Sequence, residues 1–173
     1  MDAYECIVTK LDVREFAQKH VPGETKRKIL EAARLTGSSM NTQHWRFLLI
    51  QDRSNLAKLA ADSTSGGWVA GADFAVVILT DPKVSGHTID AGRVLQDMEL
   101  AAWNFGVVSR LYTGFKRDEL RRDFGVPPEL EISAALGFGY PKGKIRGRKN
   151  RKPIEDLAFS EKYGSRLDES DLA

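Results

Sequence analysis

A compact run of hydroxyl and amide side chains lies near residue 40 of this 173-residue chain. Ser38 and Ser39 are followed by Asn41 and Gln43, so four short hydrogen-bonding side chains fall within six positions. Amide side chains carry both donors and acceptors, and they can match the alternating polar edge of a flat heterocycle. The run therefore predicts a binding loop. An ordinary helix-to-strand connection has a similar composition and stays open as the alternative.

A second candidate is the basic run at residues 142–152, KGKIRGRKNRK, which holds seven Lys or Arg and no acid. The whole chain has a net charge of only +2, so everything outside this run sums to −5. Charge this localised predicts either an anion site fed by one segment or a basic patch for nucleic acid. Because the run has no interleaved aromatic residues and the chain has no RRM, helix-turn-helix or zinc-finger signature, nucleic-acid binding is the weaker prediction.

Other common chemistries lack residues to carry them. His20, His44, His87 and the single Cys6 have no metal-ligand spacing, so no metal site is expected. Rossmann, P-loop and serine-elbow motifs are missing too. One cysteine allows no intrachain disulfide, and we see neither a signal peptide nor an apolar run long enough to span a membrane. We therefore expect a cytoplasmic protein without membrane contact.

Hydrophobic periodicity and turn signals place these runs on a chain of alternating helices and strands. The predicted helices cover residues 4–11, 24–35, 54–60, 86–105 and 116–124. The predicted strands cover residues 47–50, 74–80, 107–112 and 132–140. We expect one domain at residues 1–160 and a short tail at residues 161–173, because the composition shows no linker or repeat.

Four local features sharpen this prediction. Gly37 is expected to cap the second helix at its C-terminus, and Ser54 to cap the third helix at its N-terminus. The apolar run at residues 47–50 is expected to be an interior strand covered on both faces. Trp68 follows two glycines, so it is either a packed residue or a movable lid over a ligand.

The heptapeptide NTQHWRF at residues 41–47, preceded by GSS at 37–39, resembles the PSxxNxQPW(R)F segment of the FMN-dependent nitroreductase family, in its short form. KLDVREF at residues 10–16 lies where that family has RRSxRxF, and SRLYTGF at 109–115 resembles the segment behind the flavin ring. ISAALGFGY followed by Pro141 matches the LGYP ending, and RKPIEDL at 151–157 resembles RKPLEE. The resemblance runs from about residue 8 to about residue 157.

The resemblance implies an α+β fold with a central, mostly antiparallel sheet of about four strands, flanked by helices on both faces. It implies a homodimer with FMN at the interface, and NAD(P)H as co-substrate. Hydride would pass from NAD(P)H to flavin N5 and then to a small organic acceptor of nitroaromatic, quinone or enone type, in a ping-pong sequence. A catalytically weak flavin-binding or sensor protein of the same fold is the alternative.

The resemblance also implies which residues form the site. Asn41 and Gln43 would contact the pyrimidine edge of the flavin, Ser38 and Ser39 would complete the site from the partner subunit, and Trp68 would meet the substrate. The expected phosphate ligands are Lys10, Arg14, Lys149 and Arg151. The residues expected behind the ring are Tyr112, Thr113 and Gly114, with a backbone N–H of Thr113 or Gly114 near N5 and no catalytic side chain.

Asp12 departs from the family pattern, because it stands where the family has a serine beside the phosphate. A carboxylate repels a phosphate group. Either Asp12 pairs with Lys10 or Arg14, or the phosphate is held in a different way.

Overall fold

The computed structural model describes residues 1–172, and within them four strands form one sheet in the order β1-β2-β4-β3. Every neighbouring pair is antiparallel, which confirms the predicted α+β fold. The strands are β1 (Arg46–Ile50), β2 (Phe74–Thr80), β3 (Val108–Tyr112) and β4 (Glu131–Gly139). The helices are α1 (Ala3–Thr9), α2 (Gly23–Leu35), α3 (Arg53–Ala61), α4 (His87–Asn104) and α5 (Arg117–Phe124).

Helices cover both faces of the sheet, as predicted. Strand β2 is buried along its whole length, because alternate side chains pack into two separate cores. Ala75, Val77 and Leu79 join the core under α3 and α5. The side chains between them join the core under α2 and α4. A strand that serves two cores has no polar face, which explains its continuous apolar sequence.

Strand β1 corrects one expectation, because the apolar run at residues 47–50 is an edge strand and not an interior one. It pairs only with β2, and Leu49 is 36% exposed. A short apolar run satisfies either position, so its sequence could not decide between them.

Two helix caps also differ from prediction. Asp52, not Ser54, caps α3, because its carboxylate accepts hydrogen bonds from the backbone N–H groups of Ser54 and Asn55 at 2.9 and 3.2 Å. Helix α2 ends at Thr36 without a left-handed residue. Gly37 instead makes room for Arg93, because a β-carbon there would lie 2.7 Å from a guanidinium nitrogen of Arg93.

Residues 12–17 run along the edge of the sheet and connect two of its strands. Asp12 forms a parallel bridge with Ser109 of β3, and the Val13 N–H donates to the Ser109 carbonyl at 3.0 Å. Further along, Phe16 bridges to Pro141 just beyond β4, and the Ala17 N–H donates to the Tyr140 carbonyl at 2.8 Å. The predicted phosphate-binding segment is therefore fixed beside the start of the basic run.

The two ends of the chain expose apolar side chains. Tyr4, Ile7 and Val8 of α1 are 76%, 48% and 51% exposed, while the buried residue of this helix is Cys6. The tail folds on itself locally, with a bridge between Phe159 and Arg166, and Ala173 lies outside the described residues. None of the described helices has the length and hydropathy needed to cross a bilayer.

Gly137 of β4 offers a test of this packing. A β-carbon at Gly137 would lie 2.7 Å from Trp68 Cζ3 and 3.1 Å from Val69 Cγ2. Gly137→Ala is therefore expected to lower the free energy of unfolding by about 1–3 kcal/mol through overpacking. Urea denaturation measures the loss. In the control, Gly23→Ala, the new methyl group meets nothing within 4 Å, so a loss of equal size there would contradict the packing argument.

Candidate functional site

Three predicted phosphate ligands line one cavity of about 370 Å³, which we call the Lys10 cavity. They lie beside the C-terminal half of α4 and the exposed Leu111 of β3. The charged residues that line the cavity are Lys10, Arg148, Lys149, Arg151, Asp12 and Glu99. Four cations and two carboxylates leave a formal charge of +2, which suits a phosphate dianion.

Lys10 is held between two carboxylates. Its ammonium lies 2.5 Å from Asp12 Oδ1 and 2.8 Å from Oε1 of the buried Glu99. Glu99 also accepts a hydrogen bond from the Ser109 hydroxyl at 3.1 Å. One of the two possibilities for Asp12 is thus realised, since it pairs with Lys10. Because both carboxylates offset the Lys10 charge, most of the positive potential in this cavity comes from the basic run.

Lys149 and Arg151 of the basic run form one wall of the Lys10 cavity. The Lys149 ammonium donates to the carbonyl of Ile7 in α1, which joins the two ends of the chain. The Arg151 guanidinium donates to the Asn150 carbonyl at 3.0 Å and stays exposed. Arg148 also lines the cavity, and sequence reasoning had not singled it out.

Thr113 lies on the same side of β3 as Leu111, two residues further along. It borders a shallow depression of about 270 Å³ together with Gly92 and Leu95 of α4. Gly92, Leu95 and Glu99 are spaced three and four residues apart, so they share one side of the helix. The Lys10 cavity and the Thr113 depression therefore follow one another along the same α4–β3 surface.

The neighbours of Thr113 have other surroundings than expected. The Tyr112 side chain is 4% exposed and faces the opposite core, where it packs edge-on against Trp68 with ring centroids 5.6 Å apart. Burial raises the pKa of its hydroxyl, and the nearby Asp62 carboxylate adds to the shift. Only the backbone of Tyr112 can reach a ligand on the α4 side.

Gly114 meets the residue 63–65 loop. A β-carbon on Gly114 would lie 2.4 Å from Thr64 Oγ1 and 2.6 Å from Ser65 Oγ. The Thr64 N–H also donates to the Gly114 carbonyl at 2.9 Å. The absence of a side chain at 114 thus makes room for this loop.

Trp68 is a packed residue in this structure. It lies in the short 3₁₀ helix Gly67–Gly71, half-buried against Phe16, Tyr112 and the Gly137 backbone. Of the two possibilities for Trp68, these contacts favour a fixed core residue over a movable lid.

The polar loop at residues 37–44 is tightly constrained. Met40, Asn41 and Gln43 all have left-handed backbone angles, with φ of 49°, 55° and 47°. The Ser38 hydroxyl accepts from the Gln43 N–H at 2.9 Å, and the Gln43 amide donates to Asn41 Oδ1 at 3.2 Å. Left-handed non-glycine residues persist only where surrounding contacts hold them, and such sites are enriched in function.

Asp90 of α4 supplies the main anchor for this loop. Its buried carboxylate accepts from the Ser39 N–H at 2.9 Å and from His44 Nε2 at 3.2 Å. Burial alone would raise the pKa of the Asp90 carboxyl. The hydrogen bonds from Ser39 and His44, with the charge of Arg93 3.8 Å away, outweigh burial and hold that pKa below its ordinary value.

The loop and the Lys10 cavity lie on different sides of α4. Their anchors, Asp90 and Glu99, are nine residues apart, which is two and a half helical turns and about 14 Å along the axis. Half a turn leaves the two carboxylates on opposite sides of the helix. A single chain therefore does not bring Ser38, Ser39, Asn41 and Gln43 to the Lys10 cavity.

Arg14 lies apart from the other predicted phosphate ligands. It lines a second cavity of about 450 Å³, which we call the Arg14 cavity, together with Arg110 and residues 142–146. Asp12 borders both cavities. The basic run is thus divided, with its first part facing the Arg14 cavity and its second part facing the Lys10 cavity.

Sequence reasoning missed the two carboxylates of α4, Asp90 and Glu99. A signal was present, because Asp90 occupies the same four-residue spacing as the buried Val94, Met98 and Ala102. A carboxylate within a buried apolar stripe needs partners, so its presence predicts an anchor for another segment.

Comparisons with known proteins find the same family in sequence and in fold. A family model described as the nitroreductase family matches residues 7–86. A "Putative NADH dehydrogenase/NAD(P)H nitroreductase" of Archaeoglobus fulgidus is 29% identical over 150 residues, which cover 82% of this chain and 86% of the relative. The structure of a putative nitroreductase in complex with FMN from Desulfovibrio desulfuricans superposes with a TM-score of 0.83 at 25% identity, over 94% of this chain and 98% of that one. The chain is therefore similar to the nitroreductase family, in sequence over residues 7–86 and in fold over most of its length.

A further nitroreductase-like structure supports the fold alone. An FMN-dependent nitroreductase from Clostridium difficile R20291 has a TM-score of 0.83 at 21% identity, with 90% of this chain and 96% of that one covered. The nitroreductase family model includes Lys10, Arg14 and the polar loop, but it ends before Thr113 and the basic run. The roles of those later residues therefore depend on the geometry described above.

Asp90→Asn tests the anchor of the polar loop. Ser39 and His44 both bond the same carboxylate oxygen, Oδ2, and an amide oxygen could still accept from them. Asparagine lacks the negative charge that strengthens these hydrogen bonds and faces Arg93, so we expect a loss of about 1–3 kcal/mol in unfolding free energy at pH 7. Because the folded-state pKa of Asp90 is depressed, the contribution of Asp90 is complete above its unfolded pKa of about 4 and disappears as the pH falls through the lowered value. Denaturation at pH 7, 5 and 3 measures this trend.

A partly exposed carboxylate of the same helix provides the control. Asp97 accepts one hydrogen bond, from the Thr36 hydroxyl at 2.6 Å. Asp97→Asn should lower the unfolding free energy by less than Asp90→Asn does. Asp97→Asn should also leave hydrogen exchange of the Ser39 amide unchanged, whereas Asp90→Asn should accelerate it. Unchanged Ser39 exchange in Asp90→Asn would contradict the anchoring role.

Proposed function

We propose that this chain is a nitroreductase-like, FMN-dependent NAD(P)H oxidoreductase that reduces a small organic acceptor of nitroaromatic, quinone or enone type. One observation carries the proposal. The cationic Lys10 cavity and the Thr113 depression are both lined by residues on the same side of α4 and β3. This pairing of an anion site with an adjoining flat surface suits a phosphorylated tricyclic cofactor. The similarity to the Archaeoglobus NAD(P)H nitroreductase-like protein and to the FMN-bound Desulfovibrio structure supports the same assignment.

The residues present fit FMN. Lys149, Arg151 and Arg148 would hold its phosphate, while Lys10 shapes the cavity through its pairs with Asp12 and Glu99. Beside Thr113, the α4 wall is open, because a β-carbon on Gly92 would meet nothing within 4 Å. Thr113 is exposed, so its backbone N–H is available to a flavin nitrogen. Arg14 would act from the neighbouring cavity.

The protein supplies binding and orientation, and the cofactor supplies the redox chemistry. The chemistry that bound FMN would supply is hydride transfer, from the nicotinamide to the flavin ring and from the ring to the acceptor. The chain's own contribution is to fix the phosphate with cations, to hold the ring against the α4–β3 surface and to leave the other face of the ring accessible. No side chain is needed as an acid or base for the first half-reaction.

A homodimer would complete the site. The polar loop is on the opposite side of α4 from the Lys10 cavity, so Ser38, Ser39, Asn41 and Gln43 would reach the cofactor from a partner subunit. The exposed apolar side chains of α1, Tyr4, Ile7 and Val8, provide surface for such a partner. The partner subunit would thus contribute hydrogen bonds that one chain does not offer.

Purification with FMN tests the function as a whole. We expect a yellow protein whose flavin absorbance is bleached by NADH or NADPH without oxygen and restored by a quinone. Steady-state turnover with two substrates should give parallel double-reciprocal plots, because one product leaves before the second substrate binds. A yellow protein that neither dinucleotide bleaches would leave only flavin binding. A colourless protein would contradict the proposal.

Arg151→Gln tests the phosphate site separately from turnover. Removing one charge-assisted contact is expected to weaken FMN binding at least about tenfold. Riboflavin has the same ring but no phosphate, so its affinity should change little. Fluorescence titration measures both affinities. Lys152→Gln removes an exposed charge from the next position and is the control. An equal loss for FMN and riboflavin would show that Arg151 does not act on the phosphate.

A further inference from the structure

The Arg14 cavity contains more positive charge than the Lys10 cavity and has no part in the site proposed above beyond Arg14 itself. Its volume is about 450 Å³, within the range of small-molecule sites. Five cations and two carboxylates line it, which leaves a formal charge of +3. These residues are Arg14, Arg110, Lys142, Lys144, Arg146, Asp12 and Glu15.

The five cations are held together by the fold and not by counter-ions. Arg14 and Arg110 lie on backbone segments joined by the Asp12–Ser109 bridge and the Val13–Ser109 hydrogen bond. The Lys142 N–H donates to the Glu15 carbonyl at 3.1 Å. This hydrogen bond fixes the start of the basic run beside the segment that contains Arg14. Within residues 1–172, none of the five side chains forms a hydrogen bond or an ion pair with another residue. Asp12 offers little compensation because it already pairs with Lys10.

Like charges brought together without partners repel one another, and a bound anion removes that repulsion. The cavity offers three guanidinium groups and two ammonium groups. These groups suit the oxygens of a phosphate monoester, since guanidinium binds phosphate with paired donors. The Lys10 cavity already accounts for one phosphate. The Arg14 cavity therefore has charge for a second, separate phosphate.

We propose that the Arg14 cavity binds the ribose 2′-phosphate of NADPH and so gives the enzyme a preference for NADPH over NADH. This inference rests on the proposed function, which brings a nicotinamide dinucleotide to the protein. The two dinucleotides differ only in this phosphate monoester. The two cavities share Asp12 as a wall, so the second phosphate site directly adjoins the first.

The test uses the FMN-loaded double variant Arg110→Gln/Lys144→Gln, which retains Arg14 and all residues of the Lys10 cavity. We expect kcat/KM for NADPH to fall about tenfold or more, because charged contacts to the phosphate are lost. The kcat/KM for NADH should change by less than about twofold. Lys83→Gln removes an exposed charge outside both cavities and should alter neither value. An unchanged NADPH-to-NADH ratio in the double variant overturns the proposal.

A binding measurement separates this inference from the oxidoreductase function. Adenosine 2′,5′-bisphosphate carries the 2′-phosphate and adenosine 5′-monophosphate does not. Calorimetry should show that wild-type protein prefers the bisphosphate and that the double variant loses this preference, whether or not the protein turns over. Equal binding of the two nucleotides overturns the proposal. A second outcome also overturns it: the double variant loses binding of a single-stranded oligonucleotide but keeps its binding of the bisphosphate. The cavity would then be a nucleic-acid site.

Discussion

Carboxylates buried in an apolar helix must be paired, and helix α4 has two of them. Asp90 binds the Ser39 N–H and His44 of the polar loop, while Glu99 binds Lys10 and Ser109. An unpaired buried charge costs several kcal/mol, so each carboxylate selects a conformation of the segment it faces. One helix thereby determines where both the amide loop and the first cationic segment lie. The sheet beneath provides a rigid support, because β2 and β4 are buried throughout most of their length.

The spacing of these two anchors has a consequence for assembly. Half a helical turn separates Asp90 from Glu99, so the polar loop and the Lys10 cavity cannot converge within one chain. If both groups bind one cofactor, the loop has to come from a second subunit. The apolar side chains of α1 are consistent with this arrangement, since Tyr4, Ile7 and Val8 are exposed although Cys6 of the same helix is buried.

Much of the fold was predictable from the sequence because its signals were local. Strand β2 follows from a continuous apolar run rich in β-branched residues, which ends in Thr80. Helix α4 follows from apolar residues at three- and four-residue steps before Gly106, which has the left-handed φ of 71° typical of a helix terminus. The failures depend on tertiary context. Residues 47–50 have the composition of an interior strand, yet β1 is at the edge, and Asp52 competes with Ser54 for the same N–H groups. The glycines at 37 and 114 make room for Arg93 and for Thr64, which lie 56 and 50 residues away in the chain.

The site was less predictable than the fold, since a resemblance gives residue types and not the direction in which they point. Tyr112 and Thr113 are neighbours in sequence, but strand alternation sends the first into the core and the second towards α4. The same alternation acts on the segment at residues 10–16 and on Arg110, so cations that look like one cluster in the sequence face two cavities. Asp12 lies between those cavities and pairs with Lys10, so it lowers the effective charge of the Lys10 cavity and compensates little of the charge of the Arg14 cavity. A carboxylate at position 12 is therefore compatible with a phosphate site, because Lys10 neutralises its charge and Glu99 holds Lys10 in place.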